Sequence, residues 1–201
     1  MENRNYYNTI ERPGEATFRD RGSKFIGYAF PLPNAESLKE ALINIKKEHP
    51  KASHYCFAYR IGLDGNKFRV NDDGEPSGSA GKPILGQIDS KELTNVCVVV
   101  VRYFGGTLLG VPGLINAYKT TASLVLQTIP FVQKAVEIQY RLQFDYTTMN
   151  EVMMIIRHYN CSVVSQDIQL FCLFIIGVPV NREEEVLYRL KDLRTVETVK
   201  C

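Results

Sequence analysis

Residues 71–83 read NDDGEPSGSAGKP. Three carboxylates (Asp72, Asp73, Glu75), two hydroxyls (Ser77, Ser79), three glycines and Lys82 fall within these thirteen positions. The small residues of SGSAG can turn successive backbone N–H groups toward one point, a nest that holds an anion, and Lys82 adds charge beside it. The carboxylates just ahead repel an anion unless a cation or an arginine bridges them. The spacing fits neither of two well-defined loops. A P-loop ending at Gly81-Lys82 needs glycine where Pro76 stands and Ser or Thr where Pro83 stands. The twelve-residue spacing of an EF-hand to its bidentate glutamate is absent. Local physics leaves the stretch open between a structural turn and the floor of a binding site.

Two other stretches carry side chains of chemical interest. In SHYCFAYRI, strand alternation puts Tyr55, Phe57, Tyr59 and Ile61 on one face and His54, Cys56, Ala58 and Arg60 on the other. The aromatic face is expected in the core against the helices. The polar face is expected to be semi-exposed, with His54, Cys56 and Arg60 beside the 72–81 loop in one patch. A Cys–His nucleophile needs a third, orienting group, and zinc needs four ligands where two are at hand. No catalytic residue, metal or cofactor is therefore assigned. In RYFGGTLLGVPG, the glycines at 105, 106 and 110 miss dinucleotide-fingerprint spacing. Arg102, Tyr103 and Phe104 nevertheless sit at a strand end that feeds a glycine loop, a common position for ligand contacts.

The elements that must position these residues follow from periodicity. A helix is predicted over 34–48, capped by Asn34, with Leu38, Ala41, Leu42 and Ile45 as its apolar stripe. KFIGYAF precedes it as a strand. HYCFAYRI and KFRV follow as two strands joined by a turn at Asp64-Gly65. VCVVVVRYF is a buried strand, GGTLLGVPG a loop, and LINAYKTTASLVLQ a helix. Past Ile129-Pro130 a second unit begins, with the order β-α-β-β-α-β of a ferredoxin-like domain. Thr148 and Glu151 have capping-box spacing at its first helix, and Glu183, Glu184 and Glu185 open its second. The predicted class is α+β in two domains, residues 1–132 and 133–201.

Composition narrows the function classes. The net charge is +2, with 16 Lys+Arg against 13 Asp+Glu in residues 1–132 (+3) and 8 against 9 in residues 133–201 (−1). Any nucleic-acid contact must therefore be local. No apolar run approaches the roughly 20 residues of a membrane span. The polar start MENRNYYNTI lacks an apolar leader core, so a cytoplasmic protein without membrane contact is expected. Five cysteines with no C-x-x-C pair suggest reduced thiols.

HYCFAYR (54–60), NDDGEPSGSAGKPIL (71–85) and VVVVRYFGGTLLGVPGLINAY (98–118) together resemble the signature of the YigZ/IMPACT family, in order and in spacing. The short lead before the signature and the unit after it resemble bacterial YigZ-type members; eukaryotic IMPACT proteins place a further domain ahead. The resemblance implies a first domain of the type shared by a small-subunit ribosomal protein and domain IV of elongation factor G, with a left-handed βαβ crossover. It implies a second, ferredoxin-like domain similar to the carboxy-terminal domains of that factor. It also implies a non-enzymatic regulator associated with translation, because eukaryotic relatives act in translational control under starvation. Carried over by residue, the implied binding surface for the ribosome, RNA or a translation-control protein comprises His54, Cys56, Arg60, Asp72, Asp73, Glu75, Ser77, Ser79, Lys82, Arg102, Tyr103, Phe104, Gly105 and Gly106. The chain departs from the family at Leu108, Pro112 and Asn116, where lysine, glycine and arginine are frequent, and so loses phosphate contacts. The alternative is a phosphate- or nucleotide-binding enzyme of the small-molecule-kinase superfold, whose phosphate loop is similar to PSGSAG.

Overall fold

A computed structural model describes residues 5–201. In chain order the strands and helices are β1 (Tyr6–Ile10), β2 (Gly14–Asp20), β3 (Ser23–Pro31), α1 (Ser37–Glu48), β4 (His54–Ile61), β5 (Lys67–Asn71), α2 (Gly81–Asp89), β6 (Val96–Tyr103), α3 (Gly110–Gln127) and β7 (Phe131–Ala135). Then follow β8 (Glu137–Asp145), α4 (Met149–His158), β9 (Ser162–Ile168), β10 (Phe171–Pro179), α5 (Glu183–Asp192) and β11 (Glu197–Lys200). The chain is a mixed α/β protein that divides into two compact units, one of Tyr7–Gln133 and one of Lys134–Cys201 joined by the N-terminal residues up to Tyr6.

The first unit is built on a five-stranded sheet of order β2-β3-β6-β4-β5, antiparallel at every neighbour. β6 lies at its centre, and Val96 to Val101 are completely buried. A strand covered on both faces needs no polar alternation, which is why VCVVVV is a continuous apolar run. One face packs Phe25, Cys56, Ala58 and Val100 against Ile84 and Ile88 of α2 and Tyr118 and Ala122 of α3. The other packs Ile26, Phe57, Val99 and Val101 against Leu38 and Ile45 of α1.

Four local expectations are corrected here. The segment GVPG is not loop, since α3 begins at Gly110. Gly110 has φ +69°, and Pro112 sits in the first turn, where its missing N–H leaves no bond unmade. The β4 face bearing Cys56 is not semi-exposed: Cys56 and Ala58 are fully buried under α2 and α3. Thr148 makes no cap bond to α4, and its hydroxyl instead meets that of Thr195 at 2.9 Å. α1 begins at Ser37 rather than 34, with Glu36 at the cap position, and Asn34 lies just ahead, its Oδ1 accepting from Ser37 N at 3.0 Å.

In the second unit β8, β9, β10 and β11 form an antiparallel sheet of order β11-β8-β10-β9. Alternate residues of its central strands (Tyr140, Leu142 and Phe144; Phe174 and Ile176) make one core with Val152 and Ile156 of α4 and Val186 and Leu190 of α5. Glu183, Glu184 and Glu185 occupy the first turn of α5, where the helix dipole favours them.

Candidate functional site

The residues of NDDGEPSGSAGKP connect β5 to α2, and Asp72 organises them. Its Oδ2 accepts from Gly78 N at 2.8 Å, and its Oδ1 from Ala80 N at 3.0 Å and Gly81 N at 2.8 Å. The nest in SGSAG is real, but the anion in it is the chain's own carboxylate. Burial alone pushes the Asp72 carboxyl up. The bonds from Gly78, Gly81 and Ala80, with the Lys82 charge, outweigh it and hold the group below the ordinary aspartate range. Asp73 stands at φ +42° and Gly74 at +87°, reversing the chain. Asp73 Oδ2 accepts from Tyr55 N at 2.7 Å, and its carbonyl accepts from His54 Nδ1 at 2.8 Å.

Glu75 turns inward. Its side chain is nearly inaccessible, and Oε1 accepts from Arg102 Nη1 at 2.6 Å and from the Tyr118 hydroxyl at 2.8 Å. Arg102 is itself buried, between Phe25 at 5.5 Å and Phe104 at 5.7 Å from guanidinium to ring centroid. The arginine that must bridge the acids is therefore present, as an internal pair. Cys56 Sγ donates to the Asp72 carbonyl at 3.0 Å and lies 3.3 Å from the Tyr118 hydroxyl. Burial pushes this thiol up to about 12, and the Glu75, Asp73 and Asp72 charges add to the rise despite the Tyr118 bond. It is a neutral thiol at physiological pH and a poor nucleophile. Burial likewise raises Tyr118 far above the tyrosine range.

His54 therefore stands beside the loop with Cys56 beneath it, and His54 Nε2 lies 3.9 Å from Glu75 Oε1. Arg60 does not join them, which corrects the single-patch expectation. Its Nε and Nη2 bond Asp89 at the far end of α2, at 2.8 and 2.7 Å, and its Nη1 bonds the Gly65 carbonyl in the β4–β5 turn. Five residues of strand separate it from His54. Tyr103 alternates to the opposite sheet face, where its hydroxyl meets His49 Nδ1 at 3.0 Å. Ser79 is buried, and its Oγ donates to the Pro76 carbonyl at 2.6 Å.

What remains outside is a rim. Asp73, Pro76, Ser77 and Lys82 are exposed on the first loop, and Phe104, Gly105 and Gly106 on the second. Phe104 is 49% exposed and Leu108, further along, 83%. Gly105 is required by packing: a Cβ there meets Gly22 C at 1.9 Å. Gly106 has φ +84°. Tyr118 is the member that reading for exposed chemistry misses. Its signal is a hydroxyl on the buried stripe of α3 (Leu114, Ala117, Tyr118, Thr121), which must find a partner.

Residues 21–126, from the turn before β3 to the end of α3, match the Impact N-terminal domain. The chain belongs to the IMPACT family. The IMPACT family member YigZ of Escherichia coli (strain K12) is 31% identical over 172 residues, 85% of this chain and 84% of that one. The IMPACT family member YvyE of Bacillus subtilis (strain 168) is 37% identical over 146 residues, 73% and 67%. A crystal structure titled as that of a hypothetical protein superposes with a TM-score of 0.77 at 27% identity, covering 98% of both chains. No helix among the described residues is long and apolar enough to cross a membrane.

Proposed function

We propose that this IMPACT family member is a cytoplasmic, non-enzymatic regulator associated with translation, which binds a protein surface of the translation machinery through the exposed rim of its first unit. The observation that carries the reading is that the motif's reactive groups are spent inside the fold. Asp72 saturates the nest, Glu75 neutralises Arg102, and the Cys56 thiol is buried and protonated. An enzyme of the small-molecule-kinase type needs the Gly78, Ala80 and Gly81 amides for phosphate, and all three are engaged by Asp72. RNA at this rim needs free cations, but Arg60 and Arg102 are ion-paired, leaving Lys82. A rim of Phe104, Leu108, Pro76 and Ser77 suits a protein surface, with an aromatic anchor and a polar border.

The finer fold reading supports the link to translation. We read the second unit as ferredoxin-like, a reading supported by its connectivity β8-α4-β9-β10-α5-β11 and its sheet order β11-β8-β10-β9. The first unit, taken as the elongation-factor-G-domain-IV type, completes the pair that the family resemblance implies. The experiment is photocrosslinking in cells from a benzophenone placed at position 104, with position 91 as the distant control. Adducts to ribosomal or translation-control proteins from 104 alone are expected. Adducts confined to unrelated enzymes, or equal from both positions, contradict the reading.

A further inference from the structure

The sheet of the second unit ends at an open edge. Among the described residues β9 pairs with β10 alone, and every residue from 163 to 168 is exposed. An unpaired strand edge is a template for a further strand, and proteins blunt such edges with charges or by keeping them short. The other edges of the two larger sheets follow this rule. β2 carries three charges among seven residues, β5 carries Lys67 and Arg69 among five, and β11 is four residues long with Glu197 and Lys200. β9 reads SVVSQDI, seven residues with one charge, no lysine and no proline. Two of its aliphatic side chains stand in water, Val164 at 52% exposure and Ile168 at 49%.

The pattern of this edge is complementary to itself. Gln166 and Ile168 stand opposite Phe174 and Cys172 of β10, on the face toward α4 and α5, and Ser165 and Asp167 stand opposite Ile175 and Leu173 on the face without helices. Two copies of β9 set antiparallel about a twofold axis at Gln166 keep like faces together. Ser165 then meets Asp167 of the second copy, a hydroxyl donor against a carboxylate acceptor, and symmetry repeats the pair. Val164 meets Ile168, also twice, and the two Gln166 amides face each other, each with donors and an acceptor. No acid stands opposite an acid, which is the pairing that costs stability in a sheet. The bulge of β9 falls at Val164, outside the central pairs. An edge of this length runs about 24 Å, and pairing two of them buries on the order of 1,000 Å², the lower bound for a specific interface. We propose that the chain forms a twofold dimer through β9, joining two four-stranded sheets into one continuous sheet. The small area makes it a weak, reversible dimer, and the surface is separate from the motif rim.

Sedimentation velocity of the full chain, from micromolar to hundreds of micromolar, tests this. A reversible monomer–dimer equilibrium is expected, with no larger species because twofold pairing closes on itself. Gln166→Lys sets two ammonium groups against each other on the axis and is expected to weaken the dimer at least about tenfold. It is expected to melt like the wild type, because the side chain it replaces is exposed. Phe68→Lys, on the β5 edge of the first sheet, is expected to dimerise like the wild type. Oxidative crosslinking reads the register independently. In a Cys201→Ser background, Gln166→Cys is expected to form an intermolecular disulfide, since facing residues of antiparallel strands lie about 4.5–5.5 Å apart between Cα atoms. Val164→Cys in the same background is expected to crosslink at least about tenfold more slowly, because the two copies of position 164 do not face each other. The proposal is overturned if the chain stays monomeric over the whole range or grows beyond a dimer. A dimer that Gln166→Lys leaves intact, or equal crosslinking rates at 164 and 166, also overturns it.

Discussion

Asp72 accepts three backbone N–H bonds within one loop, so removing its charge should cost more than a surface carboxylate does. Asp72→Asn keeps one acceptor oxygen but turns an amide toward one of these donors, and a loss of about 1–3 kcal/mol is expected. The pH dependence has a definite sign. The folded carboxyl is held below its ordinary value of 3.8, so its stabilisation is fully present above that pH and is lost as pH falls through the lower, folded value. Urea melts of wild type and Asp72→Asn should therefore differ at neutral pH and draw together progressively as pH falls below 3.8. A gap that persists in acid contradicts the assignment. The residue types at this site were legible from sequence, and their direction was not. Whether Asp72 faces a ligand or its own loop depends on Asp73 and Gly74 adopting positive φ, which returns Gly78, Ala80 and Gly81 to it.

At the scale of elements, the Glu75–Arg102–Tyr118 cluster joins the 72–81 loop, β6 and α3. Arg102→Ala leaves Glu75 as an unpaired buried charge and should cost about 3–5 kcal/mol, visible as a fall in the thermal midpoint before any effect on binding is measured. A midpoint shift within that of a surface substitution counts against the cluster's structural role. The strands of the first sheet were readable where apolar content was high, as at β3, β4 and β6. β2 escaped because its inward residues, Ala16 and Phe18, are two among charged neighbours. β1 and β7 are five-residue strands that pair with each other across more than a hundred residues of chain, and β1 adds a single parallel bridge from Asn8 to Leu93. Arg60 was misplaced for a related reason. Alternation fixes its face, but only the tertiary position of α2 brings Asp89 to it, at the opposite end of the strand from His54.

For the whole molecule, the two faces of the first sheet have different surroundings. α2 and α3 close one face and leave the loop rim at its end, whereas α1 packs on the other through Leu38 and Ile45. That division of labour followed from neither composition nor motif, because both faces carry aromatic and basic residues in sequence. On the proposed function, the family motif is a scaffold whose buried charges hold its shape and whose exposed rim does the binding. Its most direct test is co-sedimentation of the purified protein with ribosomes, with the Phe104→Ala, Lys82→Ala double variant beside the wild type and a thermal melt of each. The double variant is expected to melt within the small range typical of surface changes, about 0.5 kcal/mol for each, yet to sediment at least about fivefold less. A double variant that sediments like the wild type, with its fold intact, contradicts it.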